Sequence, residues 1–166
     1  MLSILLKAKL PLCILFSISA IAQNPEINYS QAEFDSDTCC WRKLADSGKY
    51  EEGANLILEY LKEGKPENKH SLKWHAGQLF ANAEKNTKAI KYFRKTSNIF
   101  YRWFGGEDGR AWYFYVNGTK AFLRRDKKQL QKIIKHWSNK LPEDMNYKQL
   151  VLLLENWDET YLEALK

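Results

Sequence analysis

The chain carries stripes of apolar residues at helical spacing. Leu130, Ile133, Ile134, Trp137 and Leu141 recur at i, i+3, i+4, i+7 and i+11, so they share one face of a helix. Lys127, Lys128, Lys132 and Lys135 take much of the other face. Asp126, three residues before Gln129, has the form of a capping-box start. A second stripe of Leu150, Leu153, Leu154, Trp157 and Tyr161 predicts a helix over Asn146 to Ala164. Gly64 and Pro66 mark the end of a helix over Tyr50–Glu63, and Ser47-Gly48 breaks a shorter helix before it. No run alternates apolar and polar residues long enough to predict a sheet. The predicted fold class is all-α.

Fixed separations recur along these helices. Ala76-Gly77, Phe80, Ala89 and Phe93 place Gly77 twelve residues before Ala89 and sixteen before Phe93. Gly118 stands at the same two distances from Leu130 and Ile134, with Pro142 beyond. A weaker set is Trp41, Gly53 and Ile57, with a bulky Trp41 where a small residue is expected. A small residue lets two helices approach, and the aromatic residues fill the space between them. This order resembles the tetratricopeptide repeat, over roughly residues 37–142 and about three units. The resemblance implies a short right-handed stack of antiparallel helix pairs, with the last helical stretch as a C-terminal capping helix. Residues 23–36 are then expected to be a flexible N-terminal segment ahead of a domain over 37–166.

The separations between units are uneven. Trp41 to Gly77 is 36 residues and Gly77 to Gly118 is 41, against about 34 in the standard repeat. The extra length falls around NIFYRWFGGEDGR, residues 98–110. Its aromatic residues Phe100, Tyr101, Trp103 and Phe104 either extend the preceding helix into the core or line a pocket.

The N-terminus departs from this pattern. Lys7 and Lys9 precede an apolar run from Leu10 to Ile21, which closes on Ala20-Ile21-Ala22 before Gln23. That is the form of a signal peptide over residues 1–22, and the run falls short of the ~20 residues that span a bilayer. The expectation is an exported protein, periplasmic or secreted, without stable membrane insertion after cleavage. The formal charge of +6 includes Lys7 and Lys9, so the remainder is mildly basic, which supports solubility and does not point to nucleic acid. Attachment of the lysine-bearing helix to an anionic envelope surface is a lesser expectation, with salt-sensitive association as its signature. Beyond the signal the cysteines are the adjacent pair Cys39 and Cys40. Side chains of neighbouring helical residues diverge by about 100°, and adjacent Cα atoms lie about 3.8 Å apart, so the expectation is two separate thiols. An intermolecular disulfide or a redox-active pair is the alternative in an oxidising compartment.

Candidate chemistry is sparse. Gly105-Gly106-Glu107-Asp108 resembles the turn signature of cyclic-dinucleotide synthases, a chemistry that needs an α/β sheet. His70, His75 and His136 form no metal-ligand spacing, and no cofactor motif is present. Asn28 and Asn117 stand in glycosylation sequons, the second in mid-helix. The repeat resemblance implies a concave groove that binds a peptide or protein partner. Its candidate residues are Arg42, Trp74, Gln78, Asn82, Trp112, Tyr115 and Thr119; alternatively Trp74, Trp112 and Tyr115 pack between helices. A non-catalytic binding or scaffold module is the first functional expectation. The second is a small secreted effector or hydrolase-like enzyme with its site near residues 98–110, using Glu107, Asp108 and His136.

Overall fold

The computed structural model describes residues 24–138 and 144–166. The signal-like segment 1–22, Leu141 and Pro142 lie outside the described residues. Among the described residues the chain is all-helical, without a strand. The helices are α1 (Gln31–Phe34), α2 (Cys40–Asp46), α3 (Tyr50–Glu63), α4 (Lys69–Asn82), α5 (Asn86–Arg94), α6 (Ile99–Phe104), α7 (Gly106–Leu123), α8 (Lys127–Ser138), α9 (Met145–Glu155) and α10 (Tyr161–Ala164). Successive helices pack along the chain from α2 to α5 and from α6 to α9, and α7 also meets α5 and α9.

Local signals account for most boundaries. The α3 helix ends at Glu63 with Gly64 as its cap, and the Gln129 N–H donates to Asp126 Oδ1 at 3.0 Å. Leu130, Ile133 and Trp137 are buried along the α8 stripe, while Lys132 and Lys135 are exposed.

One turn recurs three times. The Lys49 N–H donates to the Leu44 carbonyl, Lys85 to Phe80 and Asp126 to Ala121, each at 2.8 or 2.9 Å. The residue before each donor has positive φ: Gly48 at +75°, Glu84 at +58° and Arg125 at +58°. This six-to-one bond around a left-handed residue is the Schellman closure of a helix. It joins α2 to α3, α4 to α5 and α7 to α8. The turns lie 36 and 41 residues apart, the intervals already seen between Trp41, Gly77 and Gly118.

Two close approaches depend on glycine. A Cβ on Gly77 would come within 2.5 Å of the Phe93 ring, so α4 and α5 touch there without a side chain between them. A Cβ on Gly118 would collide with the Leu150 side chain, so this glycine seats α9 against α7 rather than facing Ile134 of α8. The equal offsets therefore hide different partners.

Three expectations change. Residues 24–36 are folded onto the domain: Ile27 and Phe34 are buried, and Phe34 stacks on Tyr60 at 3.9 Å. Gln31 Oε1 accepts from the Glu67 and Asn68 N–H groups, and the Tyr60 hydroxyl donates to the Tyr29 carbonyl. The helix expected from Asn146 to Ala164 is broken between Glu155 and Tyr161. Arg125 holds that break by donating to the Trp157 and Glu159 carbonyls, and the Asn156 amide donates to the Ala164 carbonyl. After this break α10 packs on both α4 and α9. Finally, Cys39 and Cys40 are joined by a disulfide, which corrects the reading of two separate thiols. Cys40 has φ of +54°, so the helical divergence behind that reading does not apply at this junction.

Candidate binding cleft

The seven side chains assigned to a groove separate into two groups. Trp74, Tyr115 and Thr119 are buried, and Trp112 is half-buried. Trp74 lies 4.4 Å from Phe93, 4.7 Å from Trp112 and 5.1 Å from Tyr115 between ring centroids. The Trp112 Nε1–H donates to the Thr96 carbonyl at 2.7 Å, and the Tyr115 hydroxyl donates to Gln149 Oε1. These residues form an aromatic seam that fastens α4, α5 and α7. Burial raises the Tyr115 phenol to about 12, in keeping with an interior position.

Arg42, Gln78 and Asn82 line an open cleft of about 390 Å3. Asp35, the C-cap residue of α1, positions the Trp41 and Arg42 side chains that form one wall. The Trp41 Nε1–H donates to Asp35 Oδ1 and the Arg42 Nε–H to the Asp35 carbonyl, both at 2.8 Å. The Arg42 guanidinium sits 4.3 Å from the Trp41 ring centroid, a cation–π contact. On α4, His75 stacks with Trp41 at 5.0 Å, and its Nδ1 lies 3.0 Å from Gln78 Oε1. Burial lowers the His75 pKa; Gln78 opposes that shift and the Arg42 charge adds to it. The lowered pKa favours the neutral ring, and a proton on Nδ1 would donate to Gln78 Oε1.

The opposite wall comes from α10 and the residues after it: Tyr161, Leu162, Leu165 and Lys166. Tyr161 is buried, and that burial, with Tyr115 beside it, raises its phenol well above the ordinary value. Lys166 is paired with Glu163 at 2.6 Å. Sequence spacing could not identify this wall, because α10 reaches α4 only through the break held by Arg125. Among the described residues the lining carries no carboxylate side chain and no Ser, Thr or Cys nucleophile. What it offers is hydrogen bonding from Arg42, Gln78 and Asn82 beside leucine and tryptophan surface.

The residues of the enzyme expectation are not gathered. Glu107 and Asp108 are exposed in the first turn of α7. His136 lines a different cleft, of about 520 Å3, whose lining includes neither acid. That cleft also holds Arg102, Lys132 and Lys135, a cationic grouping that the lysine-rich face of α8 only partly signalled. No group of three or more His, Cys, Asp or Glu residues among the described residues could hold a metal ion. In the second sequon, the Asn117 amide donates to the Tyr113 carbonyl and Thr119 is buried. Lys120 is buried on α7, and burial, with Arg124 and Arg94 nearby, lowers its pKa to about 8. No helix among the described residues is long and apolar enough to cross a membrane. Comparison with protein-family models, curated proteins and solved structures finds no match to this chain.

Proposed function

We propose that this chain is an exported, non-catalytic binding module that holds a peptide segment of a protein partner between α2, α4 and the 160–166 segment. The observation that carries this reading is the composition of the 390 Å3 cleft: an arginine and two amides beside apolar walls, with no Ser, Thr or Cys nucleophile and no acidic side chain among the described residues. Its volume falls at the lower end of small-ligand pockets, enough for one or two anchoring side chains. The amides of Gln78 and Asn82 suit a peptide backbone, and the leucines suit an apolar anchor. The three Schellman turns and the Gly77–Phe93 approach support a tetratricopeptide-like stack as the frame.

A displayed peptide library panned against the chain tests the reading. Peptides with an apolar anchor are expected to be enriched, and to lose at least tenfold in affinity for Arg42→Ala and for Asn82→Trp, which blocks the cleft. No enrichment, or equal binding by both folded variants, sinks it.

A further inference from the structure

The α6 helix has a composition that folding does not explain. Ile99, Phe100, Trp103 and Phe104 are 46%, 66%, 67% and 80% exposed. Four of the seven exposed large hydrophobics among the described residues thus fall in one six-residue helix. Scattered surface apolar residues need no account, whereas a contiguous cluster marks an interaction surface. The helix is nonetheless firmly placed. Asn98 caps it by accepting from the Phe100 N–H at 2.9 Å, and the Gly105 N–H donates to the Tyr101 carbonyl. Tyr101 faces His70, while Phe100 and Phe104 stack on each other at 6.2 Å.

Arg102 connects this aromatic helix to the basic cleft. Its guanidinium lies 5.3 Å from the Trp103 ring centroid, and the residue also lines the 520 Å3 cleft with Lys132, Lys135 and His136. Among the described residues no carboxylate lines that cleft. Arg102, Lys132 and Lys135 have no ion-pair partner among the described residues, whereas Glu51 of α3 takes both Lys85 and Lys88. Asn117 and Gln129 add neutral hydrogen-bonding groups.

We infer that α6 and the adjoining basic cleft dock this protein on an anionic lipid surface, with Phe100, Trp103 and Phe104 entering the headgroup region. Tryptophan and phenylalanine partition to that boundary, and cations beside them add attraction to acidic headgroups. Neither element suffices alone. The aromatic helix is too short to hold the chain by burial, and three cations give weak, screened binding. Together they supply two signals, and the three cations complement a phosphodiester-rich surface. This inference is independent of the peptide cleft, which lies between α2, α4 and α10.

Vesicle flotation of the chain without residues 1–22 tests it, using phosphatidylcholine vesicles with and without the anionic lipid phosphatidylglycerol. Binding is expected only to the anionic vesicles, and is expected to fall sharply as salt rises. Lys132→Glu with Lys135→Glu should weaken it by more than tenfold, at about fivefold per charge near the surface. Trp103→Ser with Phe104→Ser should do the same. Lys43→Glu on α2 should leave it within about twofold. All three variants change exposed side chains, and circular dichroism checks that each remains folded. Absence of binding to anionic vesicles overturns the inference, as does binding that survives both double substitutions. A saturable protein partner lost with Trp103→Ser, in a chain that ignores vesicles, would assign the patch to protein instead.

Discussion

The Phe93 ring occupies the place that a side chain at Gly77 would need, with Cε1 only 2.5 Å from a Cβ built there. Phe93 is fully buried, so its ring cannot simply swing into solvent. The contact is the point where α4 and α5 close on each other, and it places the cleft-lining face of α4.

Gly77→Ala should therefore destabilise the fold despite the better helix propensity of alanine. Propensity favours alanine by about 1 kcal/mol, while overpacking a filled core costs about 1–3 kcal/mol. A net loss of up to about 2 kcal/mol in urea unfolding is expected. Combining it with Phe93→Leu should cost less than the sum of the two single changes, because the smaller side chain relieves the clash. A Gly77→Ala variant as stable as the parent would remove this glycine from the account.

Glu84 and Arg125 close their helices in the left-handed region, where Gly48 closes the first. A non-glycine residue in that conformation costs on the order of 1 kcal/mol. Glu84 is exposed and forms no ion pair among the described residues. Glu84→Gly is thus expected to stabilise the protein by about 0.5–1 kcal/mol, offset in part by the freer unfolded chain. A fall in denaturation midpoint would show that the turn is not held as described.

Lys120 gives stability a pH dependence of definite sign. Its folded pKa is about 8 against the ordinary 10.5 of a lysine, because burial disfavours its charge. Between these values the unfolded chain holds more protons, so stability rises with pH across that window. Below pH 8 the penalty is constant, and a shift of this size corresponds to roughly 3 kcal/mol. Lys120→Met should be more stable than the parent at pH 7, and the difference should shrink as pH approaches 10. The tyrosines with raised pKa, Tyr60, Tyr115 and Tyr161, act in the opposite direction above their ordinary value of 10. They are common to both chains, so urea titrations of the pair from pH 7 to 10 isolate the lysine. A pH-independent difference would rule out its burial as a charged group.

Much of the helical layout was legible in the sequence because the signals that set it act over one or two turns. The Gly64 cap, the Asp126 bond to Gln129 and the buried stripe of α8 each depend on neighbours within a few residues. The turns at Glu84 and Arg125 were harder to read, since neither residue is the glycine that advertises a left-handed helix end. The same limit hid the break after Glu155. It is held by Arg125, more than thirty residues away, and no local pattern records that bond.

The binding surfaces depended on packing still more. Trp74, Gln78, Tyr115 and Asn82 all occupy helical positions compatible with an open groove. Only the arrival of α9 at Gly118 and the return of α10 onto α4 decide that Tyr115 is interior and Gln78 lines a cleft. The aromatic run in α6 has the composition of a core segment, yet it stands in solvent. Composition states which residues favour burial; the tertiary structure alone decides which of them find a partner. By itself the sequence determined the all-α class, the main helices and the lysine-rich face of α8. The tertiary structure decided which faces meet, because contacts between distant helices compete for the same apolar surface and only the folded chain resolves that competition.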